Sequence, residues 1–229
     1  MKKYFSPKNI RNYLIKRKIK NNNRFNIEWK DQNFNRIALV NLLLKHYENP
    51  DYLEIGCNEN KLFDSVYIDN KIGVDPIRGG NIRLTSDEFF KNNKKKFDLI
   101  FIDGLHEYQQ VRKDFINSYN SLKPNGYILL HDMHPRYIYE EYTPKINNTW
   151  TGDCWKLAYE LSLQKYKMQI IMIDFGIGIF KNLGKKFELN DDNFKKIKKI
   201  DFNFFYENYK LFDTISLSEF KKTIKDKYN

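Results

Sequence analysis

Four short apolar runs of this chain end in residues that can do chemistry, and the endings share a type. Residues 51–57 (DYLEIGC) close on Glu54, Gly56 and Cys57, and residues 71–76 (KIGVDP) on Asp75. Residues 97–103 (FDLIFID) run into Asp103 and, shortly after, His106. Residues 126–132 (GYILLHD) end in His131 and Asp132, with His134 following. Carboxylates and imidazoles transfer protons, bind hydroxyls and ligate cations. Each residue also has a plain alternative. Gly56 serves equally as a turn glycine, an acid at a strand end as a helix cap, His106 as a capping or packing residue, and the histidines after GYILL as surface groups. The grouping outweighs any one member, because chance would not return polar residues to the same end of successive apolar runs.

The elements that must position these residues follow from hydrophobic spacing. The four runs are nearly uninterrupted, as strands buried on both faces are. Stretches with helical spacing lie between them, near 59–67, 86–93 and 107–121; the last sets Tyr108, Val111, Phe115, Ile116, Tyr119 and Leu122 on one face. Strand alternating with helix predicts an α/β fold, a mostly parallel sheet with helices on both faces. In such a sheet, ligands bind at the carboxyl ends of the strands. A helix over 34–47 precedes the first strand and stops at Asn49-Pro50. After an irregular stretch, 133–152, a helix near 153–164 leads to apolar runs at 168–174 and 177–181. Their tight Phe175-Gly176 connection predicts an antiparallel hairpin at the sheet edge. Helices are expected near 191–199 and 216–227. The chain thus divides into a basic N-terminal extension (1–30), a catalytic α/β domain (31–182) and a helical C-terminal extension (183–229).

Lys and Arg total 40 against 29 Asp and Glu in 229 residues, a net charge of +11. The surplus sits at the ends. Residues 1–30 carry 10 basic residues against Glu28, residues 31–180 carry 18 basic and 20 acidic, and residues 181–229 carry 12 and 8. A near-neutral centre disfavours nucleic acid as the partner. With 27 Asn, two Ala and 32 Lys among the basic residues, the composition matches a low-GC coding bias, which accounts for much of the lysine. No run of about 18 apolar residues predicts a transmembrane helix. The basic N-terminal stretch lacks the apolar core of a secretory signal. Cys57 and Cys154 lie too far apart to frame a zinc site or a disulfide scaffold. A cytoplasmic location is the expectation.

The strand-end set resembles that of the class I S-adenosylmethionine-dependent methyltransferases, a family with a Rossmann-like fold. YLEIGC is similar to the family's first motif, where an acid and a glycine turn approach the methionine part of the cofactor; one glycine stands where GxGxG is usual. The resemblance implies cofactor-binding roles for Glu54, Gly56 and Cys57. Asp75 falls where a carboxylate accepts ribose hydroxyls, and Ser86 and Asp87 fall where the adenine is contacted, Ser86 being compatible with a helix cap as well. Absence of GxGxxG disfavours a nicotinamide dinucleotide. Residues 97–135 resemble a narrower subgroup with an IDGxHxY strand end and a closing HD, which includes methyltransferases that tailor sugars, antibiotics and surface glycans. Asp103 would also meet the cofactor. NTWTGDCWK (148–156) and IDFGIGIF (173–180) fit the same subgroup, so the likeness spans about residues 51–182.

The implied reaction is transfer of a methyl group to a hydroxyl of a sugar, glycan or related small molecule. A neutral hydroxyl is a poor nucleophile, so a base is needed, and His106 and His131 are the candidates, beside Asp132. Relatives with this arrangement chelate magnesium with strand-end acids. The matching positions are Asp103, His131 and Asp132, which makes Asp103 and Asp132 carboxylate ligands of a divalent cation, with the imidazole shifting preference toward a transition metal. Trp150 and Asp153 lie where a loop would cover the acceptor, Trp150 to stack on a sugar ring. The plainer readings are that Asp153 caps the next helix and Trp155 packs it on the core. Two other functions stay open: an RNA methyltransferase, suggested by the +11, and a non-catalytic scaffold, suggested by the single glycine. The two ends of the chain are candidate elements for homo-oligomer formation, and residues 1–30 are suited to touching anionic lipid.

Overall fold

Alternate residues of the two central strands build the two layers of the molecule. In the strands Phe97–Ile102 and Leu122–Leu130, Ile100, Ile102, Ile128 and Leu130 face one core, while Leu99, Phe101, Tyr127 and Leu129 face the other. The structure, a computed structural model, describes residues 6–20, 22–29, 34–184 and 186–228. Among the described residues seven strands form one sheet: β1 (Tyr52–Ile55), β2 (Lys71–Val74), β3 (Phe97–Ile102), β4 (Leu122–Leu130), β5 (Gln169–Ile171), β6 (Ile177–Lys181) and β7 (Asp213–Ile215). Their order is β2-β1-β3-β4-β6-β5-β7. Only β6 pairs antiparallel with its neighbours; the other pairings are parallel.

The helices are α1 (Pro7–Lys18), α2 (Arg36–Leu44), α3 (Ser86–Asn92), α4 (Tyr108–Asn120), α5 (Ile138–Glu141), α6 (Trp155–Leu163), α7 (Phe194–Ile197), α8 (Phe202–Glu207) and α9 (Leu217–Tyr228). One core takes Val111 and Phe115 of α4, Trp155, Leu157 and Leu161 of α6, and Phe202 and Phe205 of α8. The opposite core takes Leu39, Val40, Leu43 and Leu44 of α2 with Phe220 and Ile224 of α9. This is the mostly parallel, Rossmann-like sheet covered on both faces. Among the described residues, no helix is long and apolar enough to cross a membrane.

Register places the chemistry. Ile55 lies opposite Val74 on one side and Ile102 on the other, and Ile102 lies opposite Leu130. Four strands therefore end level, and the next residues of each are Gly56, Asp75, Asp103 and His131. The sheet order reverses at β1, which opens a crevice between the ends of β1 and β3.

Three expectations are corrected. The helix expected over 59–67 is a turn followed by a short 3-10 segment, Phe63–Ser65. Asn58 and Asn60 adopt left-handed φ of 48° and 61°. The Lys71 ammonium takes the carbonyls of Phe63 and Val66 at 2.7 and 2.8 Å, leaving a continued helix no use for them. The β5–β6 hairpin is present but stands one strand in from the edge, because β7 pairs along β5. The segment after 182 is thus not purely helical: it supplies that edge strand, and Ile197, Phe202, Phe205, Phe212, Phe220 and Ile224 are buried in the shared cores. Of residues 1–30, residues 1–5, 21 and 30 lie outside the described residues, while Phe25 and Trp29 pack against His134.

Candidate functional site

The level strand ends form one wall of a cleft of about 830 Å³, lined among others by Gly56, Asp75, Ser86, Asp87, Asp103, His106, His131 and Asp132. Gly56 sits at φ 86°, and a Cβ there would come within 2.2 Å of the Asp103 carbonyl oxygen. The glycine is thus required by the approach of the β1 and β3 ends, apart from any ligand.

Asp103, His106, Asp132 and His131 close into a ring of alternating charge. His106 spans it, with Nε2 at 3.2 Å from Asp103 Oδ1 and Nδ1 at 3.1 Å from Asp132 Oδ2. His131 Nδ1 faces the same two oxygens at 3.3 and 3.2 Å. The Trp150 carbonyl lies 3.0 Å from His106 Nδ1, and the Trp150 ring stacks on the imidazole with centroids 5.1 Å apart. The turn that carries Asp132 is held in a left-handed conformation, φ 59°. Two backbone bonds fix it: the Met133 N–H donates to the Gly176 carbonyl at 3.0 Å and the His134 N–H to the Phe175 carbonyl at 2.9 Å. The β5–β6 connection thereby brings Asp174 behind His131, with Oδ1 at 3.6 Å from Nε2. Arg36, the first residue of α2, completes the group with Nη1 at 3.4 Å from the same Nε2.

Burial disfavours charge on all these groups, yet their mutual attraction outweighs it. Asp103 is held well below the usual carboxylate range by His131 and His106. Asp174 is lowered by His131 and Arg36 against the same burial penalty. His106 is raised to about 9 by Asp132 and Asp103, and His131 is raised well above its ordinary value by the same pair. This overturns the premise that His106 and His131 are bases near their unperturbed pKa. The direction of both shifts favours the protonated imidazoles, with Asp103 as the ionised acceptor between them.

The donor set suits a divalent cation. His131 Nδ1 is buried without a well-directed hydrogen bond and lies beside Asp103 and Asp132, so that once its proton leaves it can ligate together with them. The three ligand atoms lie within 4.8 Å of one another. Two carboxylate oxygens and one imidazole nitrogen leave room for further oxygen ligands.

At the far side of the cleft, Asp75 has a heavily used carboxylate. Oδ2 accepts from the Cys57 and Asn58 N–H groups at 3.1 and 3.0 Å, and Oδ1 from those of Ile77 and Arg78 at 2.8 and 2.9 Å. These bonds hold its pKa down against burial. Four donors fill a carboxylate's acceptor sites, so Asp75 first of all staples the glycine turn to the loop after β2. Ser86 and Asp87 line the cleft and share the Gln110 amide, at 3.2 and 3.1 Å. Ser86 is not the cap of α3; Thr85 is, in a capping box with Glu88.

Four expected site residues lie off the cleft lining. The Glu54 carboxylate points into the core, accepts from the Tyr52 hydroxyl at 2.8 Å, and is raised to about 8 by burial. The Cys57 thiol packs against Gly73 and Gly80, and only its N–H serves the site. Asp153 caps α4, not α6: Oδ1 accepts from the Tyr108 N–H at 2.6 Å and Oδ2 from Lys156 at 2.8 Å. Trp150 is spent on His106, and its Nε1 donates to the Tyr142 carbonyl at 3.1 Å. Trp155 is fully buried, as the plainer reading held. Arg36 and Asp174 were missed, and Asp114, which belongs to the subgroup likeness over residues 97–135, was given no role at the site. Asp114 left a signal, an acid on the α4 face that carries Val111 and Phe115; it lines the cleft, and burial raises it to about 6.

Residues 52–133 match the family model described as a methyltransferase domain. That segment runs from β1 through the turn bearing His131 and Asp132, and so contains the four-membered ring. No curated protein matches the chain. Similar solved structures include the MycE methyltransferase from the mycinamycin biosynthetic pathway in complex with Mg and SAH, at 15% identity and TM-score 0.44 over 66% of this chain and 51% of that one. Another is an O-methyltransferase from Bacillus cereus in complex with SAH, at 14% identity and TM-score 0.44 over 67% and 84%. A third is the N-methyltransferase NodS from Bradyrhizobium japonicum WM9 in complex with S-adenosyl-L-homocysteine, at 15% identity and TM-score 0.39 over 74% and 97%. The match spans about half the length of the first of these.

Proposed function

We propose that this chain is a cytoplasmic S-adenosylmethionine-dependent O-methyltransferase acting on a hydroxyl of a sugar, glycan or related small molecule. The observation that carries the reading is the Asp103–His106–Asp132–His131 ring on the wall of a cleft that Gly56 and Asp75 also line. The cleft is of ligand size. Its Gln110, Ser86, Asp87 and Asp114 end offers the polar contacts a nucleoside needs. Its ring end is where a methyl acceptor would meet the donor.

There the chain's own residues do three things. His106 and His131 keep Asp103 ionised and hold the Asp132 carboxylate beside it. Those carboxylates are placed to accept the hydrogen bond of an incoming hydroxyl and to orient its oxygen toward the methyl donor. Trp150, stacked on His106 and with its carbonyl beside Nδ1, fixes the imidazole. A divalent cation held by Asp103, His131 and Asp132 would lower the hydroxyl pKa directly.

Asp132→Asn tests the reading, since Asn tolerates the left-handed backbone at this position. The variant is expected to bind S-adenosylmethionine like the parent in calorimetry and to lose transfer of labelled methyl to a panel of glycosides by at least about a hundredfold. Undiminished transfer would remove the ring from the mechanism.

A further inference from the structure

Helix α1 presents its apolar residues outward. None of its residues is buried. Asn12, Ile15 and Lys16 are its half-covered positions and lean on the body of the protein. Lys16 Nζ donates to Asn147 Oδ1 at 3.4 Å, and the Tyr139 hydroxyl donates to the Lys16 carbonyl at 3.3 Å. Ile10, Tyr13 and Leu14 stay 47%, 62% and 51% exposed: at helical spacing Leu14 faces away from the body, while Ile10 and Tyr13 stand at the rim of a cleft that α1 forms with Ile146, Asn147 and Asn148. Arg17 shares the side of Ile10 and Leu14, Arg11 and Lys18 flank it, and Lys8 falls in line with Asn12 and Ile15; the helix holds five basic residues and no acid. A helix facing water alone would put polar side chains outward.

An aliphatic and aromatic stripe bordered by ammonium and guanidinium groups fits the boundary of a bilayer. The apolar side chains enter the acyl region while the long basic ones reach the phosphates. Charge complementarity selects anionic lipid. A single-stranded nucleic acid would satisfy the charge but would leave Ile10 and Leu14 without a role, because its bases stack on aromatic faces. We propose that α1 is a membrane-surface element that seats this protein on anionic lipid. The seat is mechanically tied to the candidate site: α1 is pinned to Tyr139 and Asn147, and that same segment runs on to Trp150, which stacks on His106. The inference does not depend on methyl transfer.

Flotation of the full chain with vesicles tests it. Vesicles of phosphatidylcholine mixed with phosphatidylglycerol are expected to carry at least about tenfold more protein than phosphatidylcholine alone at about 0.1 M salt, with the excess shrinking near about 1 M. The combined Ile10→Ser, Tyr13→Ser and Leu14→Ser variant is expected to lose about tenfold of that binding with its melting temperature unchanged, as side chains outside the core predict. A Leu14→Cys chain carrying a polarity-sensitive dye reads insertion independently of the serine variant's stability, since the native Cys57 and Cys154 are buried. Its emission shifts to the blue on the mixed vesicles alone. Equal binding to both vesicle types, or a dye that reports water throughout, overturns the proposal. So does unchanged retention of the serine variant on single-stranded RNA without any vesicle excess, which assigns the charge to nucleic acid.

Discussion

Arg36 and Asp174, 138 positions apart, meet twice: Nη1 lies 2.9 Å from Asp174 Oδ2, and the Arg36 N–H donates to the same oxygen at 3.1 Å. The pair joins the first turn of α2 to the β5–β6 connection and stands directly behind His131. With Asp174 on the Nε2 side, the Nδ1 side is left to face Asp103 and Asp132. A carboxylate placed behind an imidazole in this way fixes the ring's orientation and raises its basicity as a ligand.

Asp174→Asn is therefore expected to weaken binding of Mn²⁺ by about ten- to a hundredfold. S-adenosylmethionine affinity should be unchanged, because Asp174 lies off the cleft lining. Calorimetric titration of the two ligands on the same preparation separates the effects. Equal loss of both would mean that the substitution disturbs the fold and not the orientation of His131.

Cation binding should also release protons. His131 carries a proton near neutral pH because Asp132 and Asp103 outweigh its burial, and that proton must leave before Nδ1 can ligate. Apparent cation affinity is expected to rise with pH through the neutral range. Titration in two buffers of different ionisation enthalpy should show release of about one proton per cation. A heat that does not depend on the buffer would exclude His131 as a ligand.

Glu54 makes a prediction about stability. Its native carboxyl is raised from 4.5 to about 8 by burial, with the Tyr52 hydrogen bond and Arg36 working the other way and Asp103 with it. The native state thus holds a proton that the unfolded chain gives up at lower pH. This contribution is fully present below about 4.5 and is lost as pH rises through about 8. Glu54→Gln keeps an acceptor for Tyr52 and removes the titration. Between about pH 5 and pH 9, urea unfolding of the parent should lose roughly 2–4 kcal/mol more than that of the variant. Parallel profiles would place the Glu54 carboxyl in contact with water.

Asp153 distinguishes a cap from a substrate contact. Asp153→Ala removes the acceptor of the Tyr108 N–H and is expected to cost about 1–2 kcal/mol in urea unfolding. KM for the acceptor should stay the same, since the carboxylate faces α4 and Lys156. A raised KM with unchanged stability would return it to the acceptor site.

What the amino-acid sequence determined here is local. Uninterrupted apolar runs specified β1 to β4, helical spacing specified α2, α4 and α6, and Asp75, Asp103, His106, His131 and Asp132 followed from where those runs end. Local hydrophobic pattern suffices because strands buried on both faces need apolar residues at every position, and strands that end level bring their terminal residues together. β7 escaped because Asp-Thr-Ile has no period to detect and is a strand only because β5 lies beside it. The side-chain directions also waited for the tertiary structure. Glu54 follows Tyr52 into the core because the two share a face of β1, and Asp153 turned to α4 because the Tyr108 N–H was there to be capped. Protonation was decided in the same way. The pKa of a histidine depends on the carboxylates within about 4–6 Å, and only folding brought Asp103, Asp132 and Asp174 around His131 and set Arg36 behind it.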